Sequence, residues 1–332
     1  MSATAFVKDV HDSSVWTAQN FRRSREWAQP IGDAMLDDIR KGVTEAQARG
    51  TPFWKLTPEL FPLPSMRETM AQALHDLEKG KGFAVLSGFP VDEFDRDQIL
   101  LAYAGISAHL GVIVEQTHKG DRIIDVVDIG LPYSEKQRGY SSNKLLPFHT
   151  DGADMVGLLC LATASDGGLS VIVSAPAVYN AIRHERPDLL EVLAQGYFHH
   201  RRGEQAPGEG PISAARIPVF SFHNGLLHCC YNRNPIMWAE KEGVVLSPKE
   251  IEALDYLDAV TARPDMQLSM DLQVGDIQFL NNYICFHSRG EYHDGPNHRR
   301  HLLRIWVNWR ESRRAGPTIL NLYAPHQARQ RH

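Results

Sequence analysis

The spacing of apolar residues changes near residue 120. Before that point, apolar residues recur at every third or fourth position, as on the buried face of a helix. This spacing, with the glycines that follow its last apolar residues, predicts helices over residues 31–49, 65–79 and 95–110. A β-rich run at 82–89, bounded by glycines, predicts one short strand among them. We therefore expect the first 110 residues to be mostly helical.

After residue 120, apolar residues occur in short runs separated by turn signals such as Asn224-Gly225. These runs predict eight strands, at residues 122–127, 156–162, 169–174, 219–222, 226–231, 277–280, 284–287 and 301–309. Two helical segments, 175–195 and 247–262, interrupt the series. Many short strands without regular strand–helix alternation predict a mainly β sandwich or jelly roll with flanking helices (α+β), and not a doubly wound parallel sheet.

The composition is that of an ordinary globular protein. Of the 332 residues, 43% are hydrophobic and 23% are charged, which argues against disorder, collagen-like repeats and small disulfide scaffolds. Lysine and arginine number 35 against 40 acidic residues, for a formal charge of −5. Because no basic excess is present to bind phosphate backbones, we expect no nucleic-acid partner.

Cysteine usage and the N-terminus indicate a cytoplasmic protein. None of the four cysteines belongs to a CxxC pair, so we expect free structural thiols in a reducing compartment. The first residues do not combine a basic region with an apolar run, and no window approaches the roughly 18 uninterrupted apolar residues of a membrane span. We expect neither a secretory signal nor a membrane partner, and the sequence leaves open whether the chain forms a homo-oligomer.

The sharpest local motif is a histidine and an aspartate two positions apart, His149 and Asp151. On an extended strand both side chains point to the same face, where they offer two neighbouring corners of a metal's coordination sphere. The tripeptide alone is weak evidence, because it also arises by chance. His287, at the end of a distant apolar run, would complete two histidines and one carboxylate, the facial triad of non-haem iron(II) oxygenases.

A third motif places arginines on an apolar strand near the end of the chain. Arg300, Leu302 and Arg304 share one face of this strand. Guanidiniums are costly to bury unless each meets an anion, and their planar fork suits a carboxylate. The alternative is an exposed edge strand with its arginines in solvent, which the apolar neighbours disfavour.

These motifs, together with the glycine-rich stretch between them, resemble the taurine dioxygenase (TauD/TfdA-like) family. The segments that carry the resemblance are HTDG (149–152), LLCLATASDGGLSVIVSA (158–175), GDIQFLNNYICFHSR (275–289) and RRHLLRIWV (299–307). They occur in the family's order, and the resemblance covers roughly residues 80 to 310. It implies a double-stranded β-helix and an Fe(II)- and 2-oxoglutarate-dependent dioxygenase that uses O2.

The resemblance assigns roles to individual residues. It implies that His149, Asp151 and His287 are the catalytic metal ligands for Fe(II). Arg300, 13 positions after His287, is expected to bind the distal carboxylate of 2-oxoglutarate. Ser170 stands where the family commonly has a threonine that assists this carboxylate.

Substrate contacts are expected from Arg304 and from two long polar loops. In taurine dioxygenase the residue at the position of Arg304 faces the anionic end of the substrate, and related enzymes with other substrates also keep an arginine there. The polar segment 130–147, with Arg138, Tyr140 and Asn143, is a candidate lid, as is the loop 201–215. We expect a small-molecule substrate, such as an amino-acid derivative or another anionic metabolite.

The predicted reaction oxidises the substrate and releases succinate and CO2. Halogenating relatives lack the carboxylate of the HxD motif, so Asp151 favours hydroxylation, desaturation or cyclisation. We expect a helical extension over residues 1–80 that packs on the core, an oxygenase domain over 81–315 and a tail over 316–332. A metal-dependent hydrolase or isomerase on a cupin-like barrel is the alternative, and a catalytically silent binding protein is a third reading.

Overall fold

A computed structural model describes residues 8–21, 25–130, 142–205, 208–296 and 298–310. Within these residues the chain forms seven α-helices: α1 (Asp33–Arg49), α2 (Arg67–Glu78), α3 (Arg96–Ala108), α4 (Ala175–Glu185), α5 (Pro187–Gln195), α6 (Arg233–Trp238) and α7 (Pro248–Thr261). Short 3₁₀ turns occur at Ala18–Asn20, Phe53–Lys55, Pro64–Met66, Val91–Glu93 and Ala239–Glu242.

The strands are β1 (Ala28–Pro30), β2 (Phe83–Ser87), β3 (Val112–Val114), β4 (Ile123–Val126), β5 (Leu146–His149), β6 (Met155–Ala162), β7 (Asp166–Gly167), β8 (Ser170–Ser174), β9 (Phe220–His223), β10 (Leu226–Cys229), β11 (Gln267–Met270), β12 (Ile277–Asn281), β13 (Cys285–Arg289), β14 (Tyr292–His293) and β15 (His301–Asn308). Seven of them form the larger sheet in the order β1-β2-β12-β6-β15-β3, with β4 also paired to β15. Four form the smaller sheet in the order β11-β8-β13-β5. The hairpins β9–β10 and β7–β14 stand apart from both.

The two main sheets pack against each other across a hydrophobic core. Val156 and Leu302 of the larger sheet belong to the same buried cluster as Ile172 and Met270 of the smaller sheet. Each of these side chains points inward because alternate residues of a strand face the same side. The result is the predicted fold class, a mainly β, jelly-roll-like core with flanking helices.

Helices cover the outer faces of both sheets. α1, α2 and α3 share a buried cluster with Phe279 and Ile305 of the larger sheet. α4, α5 and α7 share another with Phe286 of the smaller sheet. The outward faces of the strands are apolar because each is buried under a helical layer.

Local sequence explains most of the element boundaries. Asp95 caps α3: its carboxylate accepts a hydrogen bond from the backbone N–H of Gln98 at 2.9 Å, and the Gln98 side chain accepts one from the backbone N–H of Asp95 at 3.0 Å. Gly50 ends α1 in the left-handed conformation, with φ of 63°. The single helix predicted over 175–195 is wrong. It is two helices, since Pro187 begins α5 directly after Arg186.

The cysteines agree with the expectation of free thiols. All four cysteines are free, and Cys230 is the one that is not fully buried. Among the helices of the described residues, none combines the length and the apolar character that a membrane crossing requires. The predicted tail over 316–332 lies outside the described residues.

Phe61 provides a test of how the helical layer is attached. Its fully buried ring lies against Gly42 of α1 and Gly105 of α3. A Cβ at residue 105 would lie 2.4 Å from Phe61 Cδ1, so Gly105→Ala should lower the free energy of unfolding by about 1–3 kcal/mol. Urea denaturation measures the change. Adding Phe61→Leu to Gly105→Ala should recover part of the loss, and a stabilised Gly105→Ala variant would contradict this packing.

Candidate active site

Two strands of the smaller sheet bring the predicted metal ligands together. In the antiparallel pairing of β13 with β5, His287 lies directly opposite His149, and their ring centroids are 4.2 Å apart. Asp151 follows β5 by two residues, and its Oδ2 is 3.8 Å from His287 Nε2. The ligand atoms of all three side chains lie within 4.8 Å of one another.

Neighbouring groups fix the orientation of these side chains. His149 Nδ1 lies 2.8 Å from the Pro147 carbonyl oxygen, which can only accept a hydrogen bond, so Nδ1 carries the hydrogen. The lone pair of Nε2 is then available to bind a metal. The backbone N–H of Asp151 donates to Asn282 Oδ1 at 3.0 Å. The Asn282 amide in turn donates to the Ala153 carbonyl at 2.8 Å. The loop that carries the carboxylate is therefore fastened to the turn before β13.

Burial and charge put the three groups in the protonation states that a metal requires. Burial lowers the pKa of His149, and burial together with the neighbouring His149 lowers the pKa of His287 to about 3, so both imidazoles are neutral. Burial alone would raise the pKa of Asp151, but the Arg304 guanidinium and the two histidines hold it below its usual range. Two neutral imidazoles and one carboxylate are the donor set of a non-haem Fe(II) site, so these residues fit the metal.

The triad opens into a cavity between the two sheets. Its polar lining is His149, Asp151, Ser170, His287, Ser288, Arg289, Arg300 and Arg304, and its apolar lining is Val126, Leu146, Val156, Leu158 and Leu302. Leu302 and Arg304 of β15, and Arg300 immediately before it, thus face the cavity from one side of the chain, as the alternation predicts. The reading of an exposed edge strand is wrong, because β15 lies between β6 and the pair β3 and β4.

Arg304 lies beside the metal ligands. Its Nε donates to Gln116 Oε1 at 2.8 Å, and its Nη1 lies 3.5 Å from Asp151 Oδ1. The Gln116 amide also donates to the Arg304 backbone carbonyl at 2.9 Å, so Gln116 holds both the side chain and the backbone of Arg304. Arg304 is therefore a fixed positive charge at the metal end of the cavity.

Arg300 lies at another part of the cavity, immediately before β15. Its backbone N–H donates to Asp294 Oδ1 at 2.8 Å, and its guanidinium lies 5.2 Å from the ring centroid of Tyr292. Ser170 lines the same cavity, with its hydroxyl donating to Gln278 Oε1 at 3.0 Å. A hydroxyl has one hydrogen, so Ser170 has to release Gln278 before it can donate to a ligand.

Asn143 is the one further predicted substrate residue that lies in the described part of the chain, and it is not among the residues that line the cavity. Its side-chain amide donates to the Tyr292 carbonyl at 3.2 Å, and its role in substrate binding stays a prediction. Arg138 and Tyr140 lie outside the described residues. The sequence reasoning assigned no role to Gln116 or Arg289. The alternation of side chains along a strand predicts that Arg289 shares a face with His287, because it follows His287 by two residues. The contact of Gln116 with Arg304 spans 188 residues and has no local signal in the sequence.

Comparison with known proteins agrees with this geometry. Residues 48–306, most of the chain, match the family model described as "Taurine catabolism dioxygenase TauD, TfdA family". The chain belongs to the TauD/TfdA family. As a member it is an Fe(II)- and 2-oxoglutarate-dependent oxygenase, which excludes the hydrolase or isomerase and the silent binding protein. The predicted cofactors, Fe(II) and 2-oxoglutarate with O2 as oxidant, follow from this membership, and the His149–Asp151–His287 group provides the metal ligands for it.

Relatives within the TauD/TfdA family cover nearly the whole chain. It is 33% identical to the FR-33289 synthase of Streptomyces rubellomurinus over 95% of both proteins. It is 27% identical to the taurine hydroxylase-like protein SAT17 of Stachybotrys chartarum, covering 91% of this chain and 80% of that protein. The structure of an asparagine oxygenase with Fe(II), (2S,3S)-3-hydroxyasparagine and succinate shares the fold, with a TM-score of 0.64 at 16% identity over 86% of this chain and 95% of that one.

Asn282 provides a test of how the metal ligands are held. Asn282→Ala removes the acceptor for the Asp151 backbone N–H, and we expect Fe(II) affinity to fall about 10- to 100-fold. Isothermal titration with Mn(II) as a stable substitute measures the change. Asn281→Ala is the matched control, because the Asn281 side chain bonds elsewhere: it donates to the Leu77 carbonyl and accepts from the Tyr283 backbone N–H, both at 2.9 Å. Equal metal affinities for the two variants would contradict the role of Asn282.

Proposed function

We propose that this TauD/TfdA-family member oxidises a small anionic metabolite at an iron held by His149, Asp151 and His287. In this proposal Arg300 binds the distal carboxylate of 2-oxoglutarate, with Ser170 assisting, and Arg304 faces the anionic group of the substrate. The observation that carries the proposal is that all six side chains line one cavity. When bound, Fe(II) and 2-oxoglutarate supply an O2-dependent oxidation of a C–H bond, with release of succinate and CO2.

The chain's own residues bind, orient and shield the reactants. His149 and His287 offer neutral nitrogens without first losing a proton, so the site loads metal at neutral pH. The leucines and valines of the cavity exclude water, which strengthens every charged contact inside it. The presence of Asp151 supports hydroxylation, desaturation or cyclisation of the substrate.

An anionic substrate is supported by the charge at the metal end of the cavity. The Arg304 guanidinium, 8% exposed, faces the space beside Asp151. Two proteins compared above carry names that refer to small polar molecules, taurine, which bears a sulfonate, and asparagine, which bears a carboxylate. We extend that chemistry to this chain as a carboxylate, sulfonate or comparable oxyanion on a small molecule.

Three further assignments belong to the proposal. The oxygenase domain spans residues 81–315, with the helical segment 1–80 packed on it. The polar loops 130–147 and 201–215 are the candidate lids over the substrate, and residues 131–141 and 206–207 of these loops lie outside the described residues. The enzyme works in the cytoplasm, in keeping with its four free thiols.

An anaerobic titration tests the cofactor assignment. Adding Fe(II) and then 2-oxoglutarate to the apoprotein should produce a weak visible charge-transfer band that needs both additions. We expect His149→Ala to abolish the band and Arg300→Ala to require about 10- to 100-fold more 2-oxoglutarate, because a charge-assisted contact is lost. A full-strength band in the His149→Ala variant would rule out this metal site.

A substrate screen tests the role of Arg304. Small carboxylates, sulfonates and phosphonates, beginning with taurine and L-asparagine, are tested for stimulation of succinate release. We expect Arg304→Gln to raise the KM of a stimulating anion about 10- to 100-fold and to change the 2-oxoglutarate titration far less. The uncharged amide or ester of the same compound is the control. Equal stimulation by the anion and its neutral form would contradict an anionic substrate.

A further inference from the structure

We propose that Arg289 is a second anchor for the distal carboxylate of 2-oxoglutarate, which it binds together with Arg300. This inference rests on the proposed function and adds a cationic residue to its co-substrate site. It makes Arg289 a determinant of which 2-oxo acid the enzyme accepts.

The strand pattern places Arg289 inside the cavity. Arg289 follows His287 by two residues on β13, so both side chains point to the same face of the sheet. Across the antiparallel pairing with β8, Arg289 lies directly opposite Ser170. It is 6% exposed, as is Arg300, and both line the cavity of the triad.

The Arg289 and Arg300 guanidiniums lack the acceptors that buried donors require. Arg289 Nη2 donates to the Lys144 carbonyl, but Arg289 Nε and Nη1 and Arg300 Nη1 are buried without a hydrogen-bond partner among the described residues. Within the described part of the chain, no carboxylate forms an ion pair with either guanidinium. Native proteins rarely leave buried donors unpaired, and a buried guanidinium without an anion is costly.

The same two guanidiniums lie in one part of the cavity, away from Arg304. Both approach the ring of Tyr292, Arg289 at 4.8 Å and Arg300 at 5.2 Å from its centroid. Like charges in one buried pocket repel unless an anion lies between them, and a carboxylate offers two oxygens that accept from both.

The nearby carboxylates do not pair with the two arginines, and the Ser170 hydroxyl has no free hydrogen to donate. Asp128 lies within electrostatic reach of Arg289 and Asp294 within that of Arg300, but neither carboxylate forms an ion pair with its arginine. The Ser170 hydroxyl already donates its hydrogen to Gln278. The Tyr292 hydroxyl is also buried without a partner among the described residues, but Tyr292 does not line the cavity, whereas both arginines do. This favours Arg289 as the second donor to the distal carboxylate.

Two 2-oxo acids that differ in their distal ends provide the test. Pyruvate has the same chelating end as 2-oxoglutarate but no distal carboxylate. Each is titrated into the anaerobic Fe(II)-loaded protein, and the charge-transfer band gives the dissociation constant. For Arg289→Gln we expect the 2-oxoglutarate constant to rise about 10- to 100-fold and the pyruvate constant to stay within about twofold.

Arg299→Gln is the matched control, because the exposed Arg299 donates to the Asp128 carbonyl outside the cavity, and it should change neither constant. An Arg289→Gln variant that binds 2-oxoglutarate normally would overturn the proposal. So would one that loses affinity for both acids alike, since that result indicates a structural role. A wild-type protein that gives no band with either acid would overturn the proposed function as well, which separates the two failures.

If Arg289→Gln fails to fold, the wild-type protein decides the question. A crystal structure with Mn(II) and N-oxalylglycine, a stable analogue of 2-oxoglutarate, should show Arg289 Nε or Nη1 within about 3.2 Å of the distal carboxylate. A separation above about 4 Å would overturn the proposal.

Discussion

The register of β13 between β8 and β5 is the constraint on which the site depends. It places His287 opposite His149 and Arg289 opposite Ser170. Because side chains alternate along a strand, a slip of one residue would turn both His287 and Arg289 out of the cavity. Burial on both faces of β13 fixes the register: Phe286 packs under the helical layer, while the next residue, His287, faces the cavity. The metal ligands are thus positioned by the same packing that holds the sheet.

The cavity separates its charges into two groups. Arg304 lies with Asp151 and the histidines, whereas Arg300 and Arg289 lie around Tyr292. Three guanidiniums against one carboxylate leave the protein's own charges unbalanced inside a low-dielectric space. The interior is therefore complementary to anions at both ends, and its stability and its ligand binding are linked through the same charges.

The sequence predicts the secondary structure and the residues of the site better than it predicts the contacts that hold those residues in place. The HxD motif, His287, Arg300 and Arg304 could be found because their spacing and apolar surroundings are local signals. Short elements such as β3 and β11 were missed, since three or four residues carry too little periodicity to stand out from loops. The break between α4 and α5 follows from Pro187, because a proline cannot continue the helix that precedes it but can begin the next one. The bond between Gln116 and Arg304 depends on the folded sheet and has no counterpart in the linear pattern.

The central position of β15 determines when the site comes into being during synthesis. This last described strand pairs with β3, β4 and β6, all from the first half of the chain, and Arg300 and Arg304 arrive with it. Between Ala162, at the end of β6, and His301, the ribosome adds about 140 residues, which takes roughly 7 to 28 s at typical rates. Throughout that interval β6 lacks this partner, and its open edge is exposed to pairing with other chains. Both edges of β6 therefore stay unpaired until β12 and β15 have been added, and the larger sheet can close only after residue 308 has been synthesised.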